Sequence, residues 1–142
     1  DPMMKIALKV RLPKLSQPDE TEEVGEHVVT APGLSECREL CEAWAEVSGR
    51  MPILRVASAI VGLCTRLGPA AGLPASAYTG KACDPYLYGG RVYEWLDARG
   101  ATDAELLPAA QRIYDAILVP RAFPSLAEVA ATEDFSGPTE AG

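Results

Sequence analysis

Residues 86–118, YLYGGRVYEWLDARGATDAELLPAAQRIYDAIL, constrain the fold more than any other stretch. Tyr88, Val92, Trp95 and Leu96 recur at helical spacing, and Leu106, Ala110, Ile113, Tyr114 and Ile117 do so again after Arg99-Gly100-Ala101. Gly100 supplies a residue able to take positive φ after a helix. Thr102 with Glu105 three places on has the form of a capping box. The stretch therefore predicts two helices folded back on each other about Gly100, each with one apolar face that needs cover.

The flanking segments supply that cover. Lys5 to Leu12 alternates, with Ile6, Leu8, Val10 and Leu12 on one side and Lys5, Ala7, Lys9 and Arg11 on the other, the period of a half-buried strand. A weaker strand follows around Val24 to Thr30, interrupted by Gly25 and joined to the first by a Pro- and Ser-containing loop. Ser35 is the expected cap of a helix with Cys37, Leu40, Cys41 and Trp44 inward, Glu36, Arg38, Glu39, Glu42 and Glu46 solvated, and Gly49 as its stop. Pro52 suits the first turn of the next helix, whose Ile53, Leu54, Val56, Ala57, Ile60, Val61, Leu63 and Cys64 are apolar nearly all round. That helix is the expected centre of the core. Residues 67–85 read as irregular, with one helical turn around Ala75 to Tyr78. Gly89-Gly90 either admits another backbone or marks an irregular helix start, and Pro108 either kinks the last long helix or sets off its opening turn. Ser125 and Glu128 form a second capping box ahead of a short helix ending near Ala131.

The fold class expected is mainly α (α+β): a bundle of four to five helices with an N-terminal two-stranded β-hairpin. One domain spans 1–131 and a flexible acidic tail spans 132–142, while Asp1-Pro2, ahead of Met3-Met4, is kept out of the fold reading.

Charge and residue types bound the function. With 13 basic against 20 acidic residues and a net charge of -7, nucleic acid and anionic membrane are not expected partners, since both require clustered cations. No run approaches the roughly 20 apolar residues of a membrane span, and no signal pattern opens the chain, so a cytoplasmic protein is expected. Cys37, Cys41, Cys64 and Cys83 with His27 lack zinc-ligand spacing, which predicts buried free thiols and neither metal nor cofactor. Thr79-Gly80-Lys81 misses the phosphate-loop pattern, since Ala75 and Ala82 stand where Gly and Ser or Thr are required. His27 has no nucleophile at a strand-to-helix elbow, and the carboxylates lack the apolar surroundings that raise a pKa, so no catalytic residue is assigned and no enzyme is expected. The helix hairpin is not read as a DNA-binding element either, because its second helix offers only Arg112 before Arg121. A binding role remains. The apolar face of Ile6, Leu8, Val10 and Leu12, with one weak neighbouring strand, either packs on the chain's own helices or leaves an edge open to self-association or to a partner segment, and Tyr86 and Tyr88, in an aromatic stripe that reads first as core, are further candidate partner-binding residues.

The order of features from Asp84-Pro85 through Tyr88-Gly89-Gly90-Arg91-Val92-Tyr93-Glu94-Trp95-Leu96 and Ala98-Arg99-Gly100 to Glu105-Leu106-Leu107-Pro108-Ala109-Ala110, closing near Glu128-Val129 and Asp134-Phe135, resembles the small helical tail assembly chaperones of bacteriophages and prophages. It covers about the last 55 residues. The N-terminal strand pair departs from the all-helical members of that group. The resemblance implies a chaperone that coats a tape measure-like helical protein during tail assembly in the bacterial host cytoplasm. Some members of that group have a frameshifted longer form whose extension recruits the tail tube subunit, whereas a homo-oligomer is expected from the strand edge if that edge is open. The alternative is a small regulatory or adaptor protein acting on a host or toxin protein.

Overall fold

The computed structural model describes residues 4–47, 50–78 and 84–121. Two antiparallel strands, β1 (Lys5–Pro13) and β2 (Thr21–Val28), precede helices α1 (Leu34–Glu46), α2 (Arg50–Cys64), α3 (Leu67–Ala70), α4 (Ala75–Tyr78), α5 (Pro85–Ala98) and α6 (Asp103–Ile113). A π-helical turn (Tyr114–Leu118) and a 3-10 turn (Val119–Arg121) continue α6. The fold is mainly α with an N-terminal hairpin, as the periodicities predict. Four of the helices are long, and α3 and α4 are single turns. Residues 79–83 and 122–142, and with them Cys83, the Thr79-Gly80-Lys81 tripeptide, the Ser125 capping box and the expected tail, lie outside the described residues, as does Gly49.

α2 is the centre of the core. Val56, Ala57, Ala59, Ile60, Val61 and Cys64 are fully buried, and α1, α5 and α6 all pack on it. Two buried hydroxyls, one on α2 and one just past its end, bond back to the helix: Ser58 donates to Leu54 O at 2.8 Å and Thr65 to Val61 O at 2.6 Å. Both hydroxyls are thereby satisfied within their own segment. The α5–α6 hairpin turns at Gly100, whose φ of 92° favours glycine. Thr102 is the N-cap of α6 but makes no side-chain cap bond, so the expected capping box is not formed. The Glu105 carboxylate instead accepts the Lys9 amide at 3.3 Å, a tertiary bond in place of a local one. α1 likewise starts two residues earlier than expected: Gly33 is its N-cap and Ser35 lies in the first turn. Pro108 sits inside α6 without splitting it.

The strand β2 begins at Thr21, three residues before the expected start. Register slips between Ala7 and Val10, where three steps along β1 span two along β2, from Glu26 to Val24. Gly25 lies where β2 changes which alternate residues face inward, so no side chain is stranded there. His27 covers the same irregularity: its Nε2–H donates to Leu8 O at 2.8 Å, which gives the chain's single histidine a structural role.

Two buried tyrosines lock helices together. The Tyr88 hydroxyl donates to Leu73 O at 2.6 Å and its ring meets Tyr78 edge-on, while Tyr114 stacks on Trp44 at 5.3 Å and its hydroxyl lies 3.2 Å from Cys41 Sγ. Burial, then the neighbouring Cys64, pushes the Tyr88 pKa far above its usual value. Burial, then the Cys41 bond, does the same for Tyr114. Between about pH 10, where unfolded tyrosine ionises, and the higher folded values, the native state binds more protons than the unfolded chain. These groups therefore hold the fold fully below about pH 10 and lose their contribution as pH rises above it. In an alkaline titration, tyrosinate absorbance from the buried pair should appear together with loss of far-ultraviolet circular dichroism. Ionisation of all five tyrosines near pH 10 with the dichroism intact would contradict the burial.

Candidate protein interface

Of the sequence-predicted partner-binding residues, Ile6, Leu8, Val10 and Tyr88 are buried in the chain's own core, Leu12 is half-buried, and Tyr86 alone is half-exposed in a groove. The apolar face of β1 packs toward α6. Its free edge is also occupied, because the Arg11 amide donates to Arg99 O at 3.0 Å and the Lys9 amide to Glu105. Of the two readings of β1, a strand packed on the chain's own helices is the one observed: the α5–α6 turn closes its free edge, and the outer edge of the sheet belongs to β2.

The groove at Tyr86 is built by the start of α5 against α1. Asp84 caps α5 by accepting the Tyr86 amide at 2.7 Å, and Pro85 sits in the first turn, where its missing N–H costs nothing. This fixes Tyr86 over α1, with its hydroxyl 3.5 Å from Ala43 O. On α1, Glu39, Glu42 and Glu46 recur at i, i+3 and i+7, one stripe of the helix. Together with Ala43, Pro85 and Tyr86 they line a groove of about 190 Å³. Burial, and after it the negative charges of Glu46 and Asp84, raises the Tyr86 pKa. Glu39 lines the groove, and its Oε1 is buried without a hydrogen-bond partner among the described residues. A buried carboxylate oxygen without a donor costs desolvation that nothing offsets. Leu87, next along α5, leaves 47% of its surface in water, and Leu34 at the start of α1 leaves 64%. An apolar floor under three carboxylates suits the aliphatic stem and charged head of Lys or Arg.

Reading α1 as an amphipathic helix assigned Glu39, Glu42 and Glu46 to a solvated face. Their spacing was visible, but Tyr86 lies 40 residues on from Glu46 and meets them only in the folded chain. Among the described residues no three or more His, Cys, Asp or Glu side chains are grouped to hold a metal ion, and no helix is long and apolar enough to cross a membrane. Cys37, Cys41 and Cys64 are all buried. A second recess, of about 360 Å³, lies where β1 meets the α5–α6 turn and is lined by Lys9, Arg11, Arg99, Glu23 and Glu105 among others. Its charges largely offset one another, and Arg99 is engaged over Trp95 at 4.3 Å.

Fold and groove together define a class, a mainly α domain with an N-terminal β-hairpin and an acidic, part-apolar groove. Comparison of the chain with protein-family models, with curated proteins and with solved structures finds no match.

Proposed function

We propose that this is a non-enzymatic binding protein that holds a helical partner segment in the groove between α1 and the start of α5. The observation carrying this reading is the buried, unpartnered Oε1 of Glu39 in a groove shared with Glu42, Glu46 and Tyr86. A Lys or Arg from the partner supplies the missing donor, while apolar residues on the same helical face cover Tyr86 and the exposed Leu87, the helix-in-groove mode of recognition. The resemblance to phage tail assembly chaperones supports a tape measure-like helical protein as that partner, in the bacterial host cytoplasm, with the tail tube subunit recruited by a longer form. Under this reading the gene lies between those for a tail tube protein and a very long helical protein.

The test is titration of the protein with overlapping helical fragments of that long protein. A charge-assisted hydrogen bond to a buried acceptor contributes about 1.5–3 kcal/mol, so Glu39→Gln should weaken binding by roughly tenfold or more. The same variant should fold at least as stably as the parent, because it removes the charge from a half-buried carboxylate whose Oε1 has no donor among the described residues. Unchanged affinity in Glu39→Gln, or no binding by any fragment, refutes the reading.

A further inference from the structure

We propose that the outer edge of β2 is a second docking surface, taking an extended segment of a partner protein that carries Lys or Arg at alternate positions. The edge is identified by hydrogen bonds. Arg11 sends its amide away from β2, to Arg99 O, so its antiparallel partner Glu23 directs its own N–H and C=O away from β1. At the other end of the strand the Val29 amide donates to Met4 O, and alternation then turns Glu26 outward as well. Thr21, Glu22, Glu23 and Glu26 are exposed, and no residue of β2 is fully buried.

Charge selects the occupant. On the solvent side of the sheet β1 presents Lys5, Lys9 and Arg11 while β2 presents Glu23 and Glu26, so sign alternates by strand. Lys5 reaches Glu26 at only 4.0 Å between exposed groups, and Arg11 turns its guanidinium to Thr21. Both carboxylates therefore remain able to pair with a strand on their other side. A basic strand continues the alternation, since opposite charges directly across a sheet stabilise it and like charges destabilise it. A second copy of β2 laid antiparallel on the first sets glutamate against glutamate, so the edge that accepts a cationic segment rejects its own kind. The surface is separate from the groove at Tyr86, and each is tested without the other.

The experiment uses the full chain and a labelled short peptide alternating Lys and Val, with a Glu and Val counterpart and an N-methylated form of the first. Two opposite-charge pairs exchanged for two like-charge pairs correspond to about tenfold or more in affinity. The expected result is that preference for the Lys peptide, its reversal in Glu23→Lys/Glu26→Lys, slowed amide exchange at Glu23 and Glu26 on saturation, and loss of binding on N-methylation. Glu39→Gln leaves all of these unchanged. Equal affinity for the Lys and Glu peptides, binding that survives N-methylation, unaltered exchange at Glu23, or a dimer in light scattering that Glu23→Lys/Glu26→Lys abolishes overturns the proposal.

Discussion

Gly89→Ala should unfold the protein or destabilise it by upwards of about 3 kcal/mol, while the same change one residue on, Gly90→Ala, should be neutral or stabilising by up to about 1 kcal/mol. The contrast comes from how α2 and α5 cross. A Cβ at Gly89 would overlap the carbonyl oxygen and carbon of Arg55, which are backbone atoms of the most buried helix and cannot swing aside. At Gly90 the nearest atom is Arg55 Nε at 3.7 Å, the end of a flexible side chain at ordinary contact distance. There Ala meets no obstacle and lowers the backbone entropy lost on helix formation. Urea melts of the two variants, read by circular dichroism, make the comparison. Similar midpoints for both would show that the helices do not cross at Gly89.

Ile60→Ala should cost about 2–5 kcal/mol. Ile60 is fully buried on the helix that α1, α5 and α6 all pack on, so truncation removes apolar contacts on several sides and leaves a cavity whose walls are pinned by other helices. Leu54 and Val61, buried on the same helix, should also lose stability on truncation to Ala. A substitution on the exposed face of α5, Glu94→Ala, should stay within about 0.5 kcal/mol. The check is a set of denaturant midpoints at constant m-value. A loss under about 1 kcal/mol for Ile60→Ala places α2 at the surface and refutes the architecture.

Much of the architecture was legible in the amino-acid order. The alternation of Ile6, Leu8 and Val10 marked their burial, the all-round apolar run from Ile53 to Cys64 marked the central helix, and Gly100 marked the α5–α6 turn. The single turn at Ala75–Tyr78 was also recovered, and of the two readings open for Gly89-Gly90 the close backbone approach is the one observed at Gly89. Helix starts were less legible. Ser35 gave way to Gly33 as a cap, and the Thr102–Glu105 box was undone by a strand amide nearly a hundred residues away, at Lys9. Local capping is a small preference, and one tertiary hydrogen bond of similar strength overrides it.

The candidate sites were the least legible. The apolar stripe of Ile6, Leu8 and Val10 and the aromatic cluster at Tyr88 both demand cover, and the sequence cannot say whether the cover is the chain itself or another molecule. By itself the sequence determined which residues must leave water and with what period, because that demand is local and written into side-chain type. Only the tertiary structure decided which surfaces meet: Arg99 and Glu105 on the β1 edge, and Tyr86 over Glu39, Glu42 and Glu46, with the outer edge of β2 left without a strand partner among the described residues. Such pairings depend on helix crossings and strand register between residues far apart in the chain, and no local pattern carries that geometry.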